Sequence, residues 1–166
     1  MHCDRGYREQ VGVVYQSASN REVLFADLAR CGWSEDRSAK LRVLQRLEIE
    51  TITLLGSILD PAELADITSR SPAATVRRRA CSLADRRWLE VIEVLAGELA
   101  PRGAQLEQLE RVAPVGETRR LARVTAHHIA LQMFMRLELA GRGRESIQPA
   151  LALITVDPFP LATSAG

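Results

Sequence analysis

The chain has 166 residues, of which 46% are hydrophobic and 4% aromatic, and 22 Lys and Arg against 21 Asp and Glu leave a net charge of +1. This length suits one domain with its own core, and the hydrophobic share excludes a disordered chain. The near-neutral charge provides no basic surface, so we expect no nucleic-acid partner. The sequence has no apolar run long enough to cross a bilayer and no secretory signal, which predicts a cytoplasmic protein without membrane contact.

The three cysteines, Cys3, Cys31 and Cys81, are far apart in the sequence. They form neither a CxxC pair nor a zinc-binding spacing. We therefore expect reduced thiols in a reducing compartment, and we expect Cys81 to be buried and chemically inert.

Residues 1–19 are predicted to form an N-terminal arm. Within this arm, residues 10–16 (QVGVVYQ) favour a short strand or an irregular segment. Asn20 is then a suitable N-cap for a short helix, which Gly32 would end as a C′ glycine.

Three long helices are predicted over residues 34–59, 71–100 and 117–140. Ser34 is a good N-cap for the first, and Ser71 followed by Pro72 is a good start for the second. Because the second helix is apolar on more than one side around residues 88–95, we expect it to be the central helix of the fold. The first helix carries an apolar stripe at three- and four-residue spacing, formed by Leu41, Leu44, Leu47, Thr51, Leu55 and Ile58.

Short helices over residues 21–31, 62–70 and 104–113 alternate with the long ones. The predicted fold is therefore all-α, a compact helical bundle of three long and three short helices. The helical domain is predicted to span residues 20–141. Residues 142–166 are predicted to form a C-terminal tail that packs on the bundle.

A weak internal similarity supports an alternative architecture. At an offset of 42 residues, Pro72 aligns with Pro114 and Leu89 aligns with Leu131. The segment SPAATVRRRACSLAD also resembles the Pro-then-Val-Arg pattern of HEAT repeats. This resemblance implies a short HEAT-like solenoid of paired helices.

Four polar side chains fall near the midpoints of the three long helices: Glu48, Asp85, His127 and His128. If these helices pack side by side, the four residues lie at one level and form a carboxylate–imidazole cluster. Each residue also has a purely structural interpretation. Glu48 would pair with an arginine at the edge of its stripe, Asp85 would lie on a solvated face, and the histidines would be partly buried with one hydrogen bond each.

The metal chemistry of such a cluster is restricted by the histidine spacing. Adjacent residues on a helix point about 100° apart, so His127 and His128 do not face the same partner. The chain has neither HxxxH nor ExxH, which argues against a di-iron site. A mononuclear metal site or a metal-free acid–base pair stays open, and the sequence identifies no cofactor.

Two functions follow from these observations. The first is a soluble binding or interaction module that is homo-oligomeric or docks a protein partner, because the helices carry more apolar faces than three long helices alone can bury. The second is a small helical-bundle enzyme in which Glu48 and Asp85 are the acid, base or ligands and His127 or His128 supplies the imidazole. A small-molecule ligand is compatible with either function.

Overall fold

The computed structural model describes residues 2–70 and 72–154, with side chains described from residue 6 onward. Within these ranges the chain forms helices and no strand, which confirms the predicted all-α bundle. The helices are α1 (His2–Leu28), α2 (Glu35–Gly56), α3 (Pro61–Ser69), α4 (Ala73–Ala84), α5 (Trp88–Leu99), α6 (Arg102–Val112), α7 (Thr118–Leu139) and α8 (Gln148–Leu151).

The strand or irregular segment predicted over residues 10–16 of the N-terminal arm (residues 1–19) is wrong, because α1 runs without a break through this segment and through Asn20. The domain boundary predicted after residue 19 therefore falls inside a helix. The buried positions of α1 recur at helical spacing and include Tyr7, Val11, Val14, Ala18, Phe25 and Leu28. Packing of this face makes the segment helical, since tertiary contacts supply most helical stability in proteins. Gly12 permits close packing, because a Cβ there would lie 3.0 Å from Cδ1 of Ile67 in α3.

The single central helix predicted over residues 71–100 is also wrong. The chain forms α4 and α5, separated by a turn at residues 85–87, and the predicted N-cap Ser71 lies outside the described residues. The backbone N–H of Arg87 donates to the side chain of Glu90 at 3.2 Å and so caps the start of α5. The turn lets α4 pack against α1 while α5 packs against α7.

Two of the predicted long helices are present as α2 and α7. The Ser34 side chain accepts a hydrogen bond from the backbone N–H of Arg37 at 3.4 Å, as expected of an N-cap. Gly141 follows α7 with a φ of 74°, a conformation that favours glycine. The three longest helices are therefore α1, α2 and α7, a different set from the one predicted.

The helices pack in an order that differs from their order in the sequence. Helix α1 packs against α2 and α4, whereas α7 packs against α2, α5 and α6. In a solenoid each repeat contacts only its neighbours, so these contacts exclude the HEAT-like alternative. Among the described helices, none combines the length and the apolar character needed to cross a membrane.

The core has two apolar clusters that follow each other along the bundle. The first is centred on Phe25, Leu44 and Phe134, and the second contains Val11 and Leu55. On α1, α2 and α7 alike, polar residues lie between the positions that belong to the two clusters. These residues, which we call the polar layer, are Arg21, Glu48, Thr51, His127 and His128.

The predicted C-terminal tail packs on the bundle as far as the structure describes it. Ala150 of α8 is fully buried, and Leu153 and Ile154 contact the first apolar cluster. Helix α8 lies against α7 and α2. Residues 155–166 lie outside the described residues.

A buried hydrogen-bond network fixes the segment between α7 and α8. Glu138 accepts hydrogen bonds from Lys40 Nζ at 2.9 Å, Trp88 Nε1 at 2.8 Å and Ser146 Oγ at 2.6 Å. Burial alone would raise the pKa of Glu138, but these hydrogen bonds outweigh burial and lower the pKa. The network joins α2, α5, α7 and the tail, and the site predictions from the sequence did not include it.

Candidate functional site

The side chains of Arg21 and Glu48 join α1 to α2 within the polar layer. Arg21 Nε donates to Glu48 Oε1 at 2.5 Å, and Arg21 Nη2 donates to Glu48 Oε2 at 3.1 Å. Glu48 is only 1% exposed, and burial raises its pKa above the ordinary carboxyl value, although the charge and hydrogen bonds of Arg21 act to lower it. A single guanidinium therefore engages both carboxylate oxygens of Glu48, which is the structural arrangement expected of a buried charge.

His127 faces α2. Its Nδ1 lies 2.8 Å from Oγ1 of Thr51, and that hydroxyl also lies 3.0 Å from the backbone oxygen of Leu47. Burial lowers the pKa of His127 to about 4, although the nearby Glu50 raises it. The ring is therefore neutral near pH 7, where it is a weak base.

His128 faces away from His127, toward α6. It is 4% exposed, and its Nε2 has no hydrogen-bond partner among the described residues. A Cβ on Gly103 would lie 4.0 Å from this Nε2, at an ordinary van der Waals distance, which places the ring beside the first turn of α6. Burial lowers the pKa of His128 to about 4, and the guanidinium groups of Arg21 and Arg102 lower it further.

Asp85 does not join the polar layer. It is exposed and occupies the C-cap position of α4, because the predicted helix over residues 71–100 is broken there. The prediction that Asp85 lies mid-helix and contributes to a central cluster is therefore wrong. Within residues 2–70 and 72–154, no group of three or more His, Cys, Asp or Glu side chains is arranged to hold a metal ion.

The predicted burial of Cys81 is wrong as well, because Cys81 and Cys31 are both exposed free thiols. Burial and the neighbouring Cys81 raise the pKa of the Cys31 thiol. A raised pKa leaves less thiolate at neutral pH, so this thiol is not activated as a nucleophile.

A small cavity lies beside His128 and is bounded by Arg21, Glu48 and Thr51. Its volume is about 20 Å³. This volume is sufficient for one water molecule and far too small for a substrate. The polar layer is thus a packed interior with room for a water, and it does not enclose a reaction chamber.

A larger cleft of about 510 Å³ opens next to this cavity, between α1, α4, α5 and the first turn of α6. Small-molecule sites in proteins usually have volumes of this size. One set of lining residues is apolar: Leu24, Phe25, Val76, Leu95, Leu99 and Met135. The cleft shares four polar residues with the small cavity: Ser17, Arg21, Arg102 and Gln105.

Three neutral polar side chains of the cleft each accept a hydrogen bond within the protein. Asn20 Oδ1 accepts from Gln16 at 3.1 Å, Gln105 Oε1 accepts from Arg102 at 3.0 Å, and Ser17 Oγ accepts from Arg21 at 3.0 Å. Neither the amide nitrogen of Asn20 nor that of Gln105 donates a hydrogen bond to any described residue. These amide nitrogens are therefore available to donate hydrogen bonds to a ligand, in a cleft that also contains the ion pair of Arg79 with Glu98.

The sequence contains a signal for one of these residues that the site prediction missed. Arg21 continues the three- and four-residue spacing of buried positions on α1, between Ala18 and Phe25. A charged residue at such a position needs a partner in the interior, and Glu48 interrupts the stripe of α2 in the same way. The two interruptions together predict the pair. Arg102 has no such signal, because it starts a short helix.

Comparison with known proteins identifies no relative of this chain: no protein-family model matches it, and neither the curated proteins nor the solved structures contain a significant match.

Proposed function

We propose that this protein is a binding module without catalytic activity, and that it binds a small molecule in the cleft between α1 and the α5–α6 corner. One observation carries this proposal. A cleft of about 510 Å³ combines an apolar wall with side-chain amide groups whose N–H donors have no acceptor among the described residues. Binding sites for small molecules typically pair a mostly apolar surface with a few polar groups that orient the ligand.

The same geometry weakens the alternative proposal of an acid–base or metal enzyme. Glu48 is held by Arg21, Asp85 lies outside the layer, and the pKa of each histidine is about 4. A general base is most effective when its pKa lies near the working pH. These groups therefore favour a structural role for the polar layer beneath a binding cleft.

Self-association and docking to a protein partner stay predictions within this proposal. Exposed apolar side chains on α2 and α7, such as Ile49, Ile129 and Met133, would be suitable contacts. The C-terminal tail is less available for a partner, because Ala150 packs on its own bundle. A cytoplasmic location also stays a prediction, and the free thiols of Cys31 and Cys81 are compatible with it.

The proposal can be tested with Nile red, an uncharged apolar dye whose fluorescence rises in an apolar site. We expect saturable binding to the wild-type protein. Gln105→Trp places a large ring in the cleft and should abolish binding, whereas Ala104→Trp introduces the same ring at the adjacent exposed position of α6 and should preserve it.

Circular dichroism would establish that both variants keep their helical content. Equal binding by Gln105→Trp and wild type would place the dye elsewhere and contradict the proposal. The absence of saturable binding by the wild type would contradict it too.

A further inference from the structure

We propose that the ligand of this cleft is a small apolar monocarboxylate, and that its carboxylate lies against Arg102 at the start of α6. This inference rests on the proposed function, since it concerns the same cleft. It names the chemical class of the ligand from the charges, the hydrogen-bond donors and the apolar wall around the cleft.

Among the charged side chains that line the cleft, one positive charge has no acidic partner. Arg21 is paired with Glu48 behind the cleft, and Arg79 is paired with Glu98 across it. Arg102 donates a hydrogen bond to the neutral side chain of Gln105, and it has no carboxylate partner among the described residues. One unpaired guanidinium matches a ligand with one negative charge, and its planar pair of N–H donors can bind both oxygens of a carboxylate.

The helix that carries Arg102 adds to this preference. Arg102 is the first residue of α6, and no side chain caps that end of the helix. The N-terminus of a helix attracts anions and disfavours cations, so an arginine at this position is unfavourable in the absence of a ligand. A carboxylate bound there would interact favourably with both the guanidinium and the helix end.

Side-chain donors also line the cleft. Ser17 and Gln105 lie with Arg102 at the end next to the small cavity, and the amide of Asn20 lines the cleft as well. Each of their oxygens already accepts one hydrogen bond: Asn20 from Gln16, Gln105 from Arg102 and Ser17 from Arg21. A carboxylate accepts hydrogen bonds and donates none, so it satisfies this set better than an alcohol or an amine does.

The apolar part of the ligand has a defined direction. Along α1 the lining begins with Ser17 and Arg21 and continues to Leu24 and Phe25. The stretch of α1 from Ser17 to Phe25 is about 12 Å long at the rise of an α-helix. Met135 lines the same cleft from α7. A hydrocarbon chain that starts at Arg102 would therefore run along α1 over an apolar wall.

His128 provides a direct reporter of the bound charge. Its Nε2 is buried without a partner, next to Gly103 in the first turn of α6. The positive charges of Arg21 and Arg102 already lower its pKa. A carboxylate beside Arg102 would offset these charges and raise the pKa of His128.

The experiment compares ligands that have the same ten-carbon chain and different head groups: decanoate, decanol, decyltrimethylammonium and decyl phosphate. Each is titrated, below its micelle concentration, into the full-length protein with bound Nile red. We expect decanoate to displace the dye at concentrations about tenfold or more below those of decanol, as a charge-assisted hydrogen bond implies. Decyltrimethylammonium should displace it least.

Two matched variants locate the carboxylate. Arg102→Gln should remove the preference for decanoate over decanol, whereas Arg111→Gln, at the other end of α6, should retain it. In the wild type at pH 7, where decanoate is ionised, decanoate should shift the NMR signals of the His128 ring, and decanol should shift them less. The NMR titration needs no dye.

The outcomes separate the two proposals. Failure of Nile red and of all four ligands to bind would overturn the proposed function itself. If the dye binds and decanol competes as well as decanoate, or Arg102→Gln keeps the preference, the cleft binds ligands but the carboxylate inference is wrong. Stronger displacement by decyl phosphate would assign the cleft to phosphates and would also overturn this inference.

Discussion

Arg21 and Glu48 pair with each other at positions that the helical periodicity of α1 and α2 assigns to the apolar core. The pair lies between the two apolar clusters, and Arg21 also lines the cleft. Burying two charges has a large desolvation cost, which their attraction and hydrogen bonds offset only while both are present. The pair therefore makes the bundle sensitive to any change that leaves one of the charges alone.

Replacing Glu48 with leucine tests this dependence. We expect Glu48→Leu to lower the free energy of unfolding by about 3 kcal/mol, because it leaves the charge of Arg21 largely buried without a partner. Urea denaturation followed by circular dichroism measures the change. The double variant Arg21→Leu/Glu48→Leu should recover most of the loss, since it removes both charges. Unchanged stability of Glu48→Leu would mean that the ion pair does not hold α1 to α2.

Much of the fold could be predicted from local sequence signals. Helix α2 begins after the cap Ser34 and α7 ends before Gly141, and both helices have clear apolar stripes. The turn at residues 85–87 could not be predicted in this way, because Ser71 to Ala100 reads as one favourable helix. The turn arises from tertiary packing, since Trp88 must reach Glu138 of α7 while α4 stays against α1.

The candidate site was predictable only in part. Glu48, His127 and His128 lie near the midpoints of α2 and α7, and their mid-helix positions could be read from the sequence. The prediction that Asp85 belongs to the layer was wrong because its helix is broken at that residue. Arg102 was missed because nothing in the sequence reveals that its guanidinium lacks an acidic partner. Partners between distant helices depend on packing that no local pattern encodes.

The buried histidines predict how stability changes with pH. The pKa of His127 and of His128 is lowered from 6.5 to about 4 in the folded protein. The unfolded chain therefore binds more protons between these values, and stability is lost as the pH falls below 6.5. We expect each histidine to contribute a loss of about 2 kcal/mol between about pH 7 and pH 5.

Urea denaturation of the wild type, His127→Gln and His128→Gln at both pH values measures this contribution. Each substitution should make the free energy of unfolding less dependent on pH, even if it lowers stability at neutral pH. A pH dependence equal to that of the wild type in both variants would show that the rings titrate normally, in contact with water.

The two tryptophans form a matched pair for testing the Glu138 network. Trp88 Nε1 donates to Glu138 Oε2 at 2.8 Å, whereas the buried Nε1 of Trp33 has no hydrogen-bond partner among the described residues. The rings contact each other edge to face, with centroids 5.5 Å apart. Trp88→Phe should destabilise the protein by about 2 kcal/mol more than Trp33→Phe, because a hydrogen bond to a charged group is lost only at Trp88.

Thermal and urea denaturation of the two variants measure the difference. Ser146→Ala, which removes another donor to Glu138, should lower stability in the same direction as Trp88→Phe. Equal stability of the two tryptophan variants would indicate that the network does not fix the tail segment.

Arg102 and Arg111 lie at opposite ends of α6. Replacing each of them with glutamine should change the free energy of unfolding in opposite directions. A cation is unfavourable at the N-terminus of a helix and favourable at the C-terminus, by about 0.3–1 kcal/mol in each case. Without ligand, Arg102→Gln should therefore raise the free energy of unfolding, whereas Arg111→Gln should lower it slightly. Thermal denaturation of the ligand-free protein at low ionic strength measures both changes, and added salt should reduce them. A loss of stability in Arg102→Gln would mean that this arginine supports the fold, whereas a gain would indicate that it is kept for a ligand at the expense of stability.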